Sequence, residues 1–85
     1  MVLDVRSRFE FDHGHVPGAI HVPFWKVASH LGEVPATGSD EIVVYCGHGP
    51  RALWAAARLR SAGFERVTLL EGHWAQWARE GRPRE

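Results

Sequence analysis

Apolar residues fall along this chain in short runs separated by turn-forming residues, and the runs alternate between strand-like and helix-like patterns. Val2-Leu3-Asp4-Val5 reads as a strand entering a turn at Arg6-Ser7-Arg8, and Phe9 to His13 as about one helical turn closed by Gly14. In His15-Val16-Pro17-Gly18 the proline fixes φ and the glycine accepts a positive one, so a turn is predicted. Ala19 to Val22 follows as a strand stopped by Pro23, and Phe24, Val27, Ala28 and Leu31 recur at the spacing of a helix over 24–31. Gly32 to Asp40 contains Pro35 and Gly38 and reads as loop.

Ile42-Val43-Val44-Tyr45 is apolar without alternation, the pattern of a central parallel strand covered on both faces. A helix is predicted from near Arg51 to Ala62, with Gly63 as the residue that ends it. Val67-Thr68-Leu69-Leu70 reads as another buried strand. After Gly72 comes a last helix with Trp74, Trp77 and Ala78 on one face, stopped around Gly81 and Pro83. Strands alternating with helices at short spacing indicate right-handed βαβ units. The expected fold is therefore α/β, a parallel sheet of about four strands with helices on both faces. No repeat, linker or low-complexity segment divides the 85 residues, which read as a single domain.

Ten basic residues balance ten acidic ones, so no global field draws the chain to nucleic acid or to a membrane surface. No apolar stretch is long enough to span a bilayer, and no signal-peptide pattern opens the sequence. Its one cysteine has no internal disulfide partner, and a lone accessible thiol survives best in a reducing cytoplasm. The charge content points to a monomer.

That cysteine, Cys46, follows the apolar run 42–45 and precedes Gly47-His48-Gly49-Pro50-Arg51, which leads straight into a helix. Strand, short glycine-containing loop and helix N-terminus together build an anion cradle of unpaired backbone N–H groups. A thiolate at its mouth is the form such a cradle stabilises. The other reading makes Cys46 a small buried hydrophobe at a strand end.

The chain resembles the rhodanese-like sulfurtransferases. The resemblance lies in Leu3-Asp4-Val5-Arg6 with Glu10-Phe11, in Gly14-His15-Val16-Pro17-Gly18-Ala19-Ile20, and in Val44-Tyr45-Cys46 with Gly49 and Arg51. It continues through Leu59 with Gly63-Phe64, then Val67, Leu70, Gly72 and Trp77. It implies the small three-layer fold of that family and a Cys46 that accepts a sulfane sulfur as a persulfide. Donors would be thiosulfate or other small sulfur-containing anions. Acceptors would be cyanide, a thiol or a sulfur-relay protein. No cofactor and no metal is implied.

A persulfide carries its negative charge on the outer sulfur, so a ring of backbone N–H groups stabilises it without a side-chain base. Gly47 and Gly49 permit the twist that turns those groups inward, while Pro50 stiffens the loop before the helix. Arg51 opens a helix, where a cation opposes the dipole. Its expected compensation is an anionic substrate or a carboxylate such as Glu71. His48, at the loop tip, is read as a substrate contact, with solvent exposure as the other reading. Asp4 and Arg6 are read as structural, tying adjacent loops. Phe24, Trp25 and Trp74 are read as core, with pocket walls as the alternative.

Two departures from the family pattern stand out. Gly72-His73 occupies the place of a usual Gly-Gly, so a side chain intrudes where backbone normally passes close to the active site. Only Met1-Val2-Leu3 precede Asp4, so the usual first strand and helix are absent and four strands rather than five are expected. That leaves the edge along 67–70 open, and the tail 81–85 or local side chains are expected to cover it, with association of two copies through this edge as the other remedy.

Three alternatives remain. One is a dual-specificity-type phosphatase, whose arginine falls one position further from the cysteine; Arg51 lies five positions after Cys46, which favours the smaller sulfur group. Another is a non-catalytic binding or sulfur-relay module. The third is a zinc site from His13, His15 and Cys46.

Overall fold

The computed structural model describes residues 1–30, 32 and 34–85, with Ala28 described through its backbone. The chain order is β1 (Val2–Asp4), α1 (Arg8–Asp12), β2 (Ile20–His21), α2 (Phe24–Ser29), β3 (Glu41–Tyr45), α3 (Pro50–Ser61), β4 (Arg66–Leu69) and α4 (His73–Arg79). The four strands form one sheet in the order β2-β1-β3-β4, and every pairing is parallel. The α/β expectation holds, including the strand count. α2 ends at Ser29, and Leu31 of the expected helix lies outside the described residues.

Local chemistry sets the element ends. Ser7 caps α1 through a reciprocal box: its Oγ accepts the Glu10 N–H while the Glu10 carboxylate accepts the Ser7 N–H. α3 ends at Gly63, whose φ of 101° only glycine adopts cheaply. Gly63 N–H then bonds Arg60 O and Phe64 N–H bonds Leu59 O, which caps the last carbonyls.

Strand pleating sorts the interior into two faces. Leu3, Val5, Ile42, Val44 and Cys46 point to one side, where Ala52, Ala55, Ala56 and Leu59 of α3 and Val27 of α2 complete the apolar core. Asp4 and Tyr45, paired in register, point to the other, where they meet Trp74 of α4 and Arg6. Phe11 of α1 stacks on His21 of β2 on that same side.

Two expectations change. β4 is an edge strand rather than a fully buried one: Val67 is buried under α3, while Arg66 and Thr68 are exposed. An edge strand with one covered face needs only alternate apolar residues. The tail does not cover that edge. It crosses to the turn before β2, where Glu85 N–H bonds His15 O, His15 N–H bonds Glu85 O, and Gly18 N–H bonds Glu85 Oε1. Arg84 lies over the Trp74 ring on the way, and Trp77 Nε1–H donates to Pro83 O. Aromatic and backbone partners on α4 thus win over the bare β4 edge. Among the described residues no helix is long and apolar enough to cross a membrane.

Candidate active site

The loops at the C-terminal end of a parallel sheet meet at one rim, and Cys46 ends β3 at the centre of it. Its side chain is 1% exposed, on the α3 face of the sheet. Gly49 N–H donates to Cys46 Sγ at 3.0 Å. Gly49 takes φ 134°, a backbone region closed to residues with a Cβ, and that twist turns its amide back onto the sulfur. The same glycine is the N-cap of α3, followed by Pro50 at the first helical position, where a missing N–H costs nothing.

The back of the loop rests on α4. Trp74 N–H donates to Cys46 O at 3.0 Å and Ala75 N–H to Gly47 O at 3.1 Å, so the first-turn amides of α4 find their acceptors in the loop. In a planar trans peptide the N–H points opposite to the carbonyl. The N–H groups of Gly47 and His48 are therefore turned away from α4. The first-turn amides of α4 thus fix the two peptides after Cys46, while Gly49 as N-cap of α3 turns its own amide onto the sulfur.

Arg51 extends from the first turn of α3 across Gly47 to Glu10 of α1. Its Nη1 donates to Glu10 Oε1 at 2.6 Å and its Nη2 to Oε2 at 3.0 Å. A Cβ at position 47 would lie 3.2 Å from Arg51 Nη2, so glycine is needed for the guanidinium to pass. The Arg51 hydrogen bonds hold the Glu10 carboxyl at about 2, against burial that pushes it up. Glu10 in turn raises the pKa of Arg51, with Cys46 a smaller influence in the same direction. The compensating carboxylate is thus Glu10, not Glu71, which is exposed after β4.

His73 lies beneath the loop, almost wholly buried, and its Nδ1 accepts the Cys46 N–H at 3.3 Å. Burial first, then the nearby His48, lower its pKa from the usual histidine value. Of the expected contact residues, Gly47, Gly49 and Arg51 gather around Cys46, His48 is the exposed loop tip, and Pro50 faces solvent. His13 and His15 donate through Nδ1 to Phe9 O and Phe11 O, and no metal-holding group of His, Cys, Asp and Glu forms among the described residues.

Asp4 and Arg6 act within the fold. Arg6 Nη2 bonds Asp4 Oδ2 at 2.8 Å and Gly14 O at 2.7 Å, locking β1 to the turn after α1. Both Arg6 and Arg84 lie over the Trp74 ring at the sheet face, while Trp25 is exposed on α2 rather than in the core. Sequence reasoning missed Glu10 and α4 as parts of the site. The spacing Ser7-x-x-Glu10, a capping-box pattern unread in the sequence, is the local signal for the carboxylate's place on α1, and it holds no sign of Arg51.

Comparison with known proteins agrees with this architecture. The sequence profile of the rhodanese-like domain matches residues 1–80. The chloroplastic thiosulfate sulfurtransferase 16 of Arabidopsis thaliana is 36% identical, over 95% of this chain and 76% of that protein. The putative sulfur carrier protein YrkF of Bacillus subtilis is 35% identical, over 89% of this chain and 40% of that protein. Among solved structures, the Rhodanese_3-like domain of the Alr3790 protein from Anabaena sp superposes with a TM-score of 0.86 at 36% identity, covering 99% of this chain and 95% of that one. The chain belongs to the rhodanese-like domain family, whose members similar to it include proteins named as sulfurtransferases.

Proposed function

We propose that the protein is a sulfurtransferase that carries a sulfane sulfur on Cys46. The observation that carries this reading is the Gly49 N–H aimed at Cys46 Sγ, in a loop whose preceding peptides are oriented by the first-turn amides of α4. The Cys46 thiolate attacks the outer sulfur of thiosulfate, forming an S–S bond as the donor S–S bond breaks and sulfite leaves with that electron pair. The persulfide anion then gives its outer sulfur to cyanide or a thiolate, and the Cys46 thiolate returns. No base is required in either step, because anions enter and anions leave. The role of the loop is electrostatic, with donors placed where the outer sulfur carries its charge.

Gly47, His48, Gly49 and Arg51 are the donor groups in this reading, and Pro50 holds the loop shape. The short spacing from Cys46 to Arg51 favours a single sulfur over a tetrahedral phosphate. A protein thiol as acceptor draws support from the name of the YrkF relative. A reducing compartment such as the cytoplasm suits a thiol that must return to its free form.

The test is a thiosulfate–cyanide assay combined with intact mass. Incubation with thiosulfate is expected to add one sulfur atom, which cyanide or a thiol removes, and Cys46→Ser is expected to abolish both. Undiminished turnover in Cys46→Ser rejects the reading.

A further inference from the structure

His73 is the only non-glycine residue at positive φ among the described residues, at 53°. A left-handed conformation is disfavoured for any residue that carries a side chain. It brings the ring under the loop, where Nδ1 meets the Cys46 N–H and Nε2 lies 3.4 Å from where a Gly49 Cβ would sit. The two residues it touches are the ones that matter to the sulfur: Cys46 bears it, and Gly49 donates to it. A backbone N–H only donates, so Nδ1 must present its lone pair and the proton must sit on Nε2. Imidazolium has no lone pair to offer.

We propose that neutral His73 is a positioning residue, holding the Cys46 amide and the underside of Gly49 so that the loop amides stay aimed at the sulfur, and that protonation of the ring releases them. The effect on turnover rests on the sulfur-transfer reading of Cys46; the geometric coupling does not. The groups around the ring keep it neutral. His48 faces it from the loop, and its positive form opposes a second cation. Cys46 meets it through backbone, Arg51 of α3 is turned to Glu10, and Glu71 before Gly72 is exposed. Since burial depresses the ring pKa, the neutral form persists below the ordinary histidine range of about 6.5 and is lost only at lower pH.

The test follows the Cys46 backbone amide and the His73 ring by NMR in the full chain as pH falls from neutral until the ring has titrated, in a His48→Gln background that removes the neighbouring imidazole. The Cys46 amide is expected to shift with the midpoint of the His73 ring. In His73→Asn, whose side-chain oxygen offers an acceptor and whose backbone tolerates left-handed φ, the amide is expected to stay put over this range. His73→Gly relieves the backbone without an acceptor, and is expected to displace the Cys46 amide at every pH and to slow Cys46 alkylation several-fold, with Asn restoring the rate. A Cys46 amide that ignores His73 ionisation, or a glycine variant with the wild-type alkylation rate and profile, overturns the proposal. Coupling without any sulfur uptake by Cys46 supports the positioning role and rejects the sulfur-transfer reading instead.

Discussion

Tyr45 donates its phenolic hydrogen to Asp4 Oδ2 at 2.6 Å between neighbouring strands, and both side chains are fully buried. The same phenolic oxygen accepts the Val16 N–H at 3.1 Å, so one side chain joins β3, β1 and the turn before β2. Burial first and the Asp4 hydrogen bond second push the Tyr45 pKa well up. A raised tyrosine pKa gives stability that is complete below the unfolded value of about 10 and is lost as pH rises beyond it. Tyr45→Phe leaves the Val16 amide without its acceptor and removes one donor from Asp4, which keeps Arg6, and is expected to cost about 1–3 kcal/mol. Urea unfolding at neutral pH measures this, and a scan to higher pH is expected to show the variant losing less of its stability than the wild type.

Glu10→Gln keeps a side chain able to cap α1 but removes the charge facing Arg51. Each partner is about a third exposed, at 32% and 34%, so solvent screening limits the loss to on the order of 1 kcal/mol at neutral pH. A depressed carboxyl stabilises above its unfolded pKa near 4.5 and loses that contribution as pH falls through about 2, so the difference between variant and wild type fades in acid. Because Arg51 is left without its resident anion, the KM for thiosulfate is expected to fall. Arg51→Ala is expected to raise that KM about ten-fold or more, the scale of one charged hydrogen bond. Steady-state kinetics beside chemical denaturation separates binding from folding.

Gly49→Ala forces a Cβ into φ 134° and against His73 Nε2. The backbone must turn, and its N–H loses aim on Cys46 Sγ. Loss of one such donor typically costs a factor of about 100 or more in kcat. Strain of this kind costs about 1–3 kcal/mol, so the folded protein is expected to survive with little sulfur transfer. Activity per folded molecule, with thermal unfolding alongside, is the measurement; full activity would show that the Gly49 amide does not serve the sulfur.

A small aryl phosphate is expected to give no turnover that depends on Cys46. A colorimetric phosphatase assay of the wild type and Cys46→Ser decides this, and Cys46-dependent release of the phenol would restore the phosphatase alternative.

Elements with strong local chemistry were legible in the sequence. The turn at Pro17-Gly18, the helix end at Gly63 and the strand before Cys46 each follow from residues a few positions apart. The loop after Cys46 was legible for the same reason, since strand, loop and helix are contiguous. Contacts that join distant segments were not. Glu10 lies 41 residues from Arg51, and only the strand order, which sets β1 beside β3, brings α1 to the loop. Glu71 was the expected partner because nothing local distinguishes one carboxylate from another. The tail was expected on the β4 edge by the logic of exposed backbone, but Trp74 and Trp77 offer it an aromatic face.

Glu10 serves two attachments at once, the cap of a five-residue helix and the grip on Arg51. A helix so short has little stability of its own, so fraying of its first turn would also loosen the hold on the guanidinium. Local helix opening runs on the order of a microsecond, whereas enzymes commonly turn over about ten times per second. Were the Glu10 grip to open on that timescale, Arg51 would be bound and released many thousands of times within one turnover of that length. In the proposed reading an arriving donor would meet both in equilibrium, and the Glu10 grip would set its affinity without setting the speed of transfer.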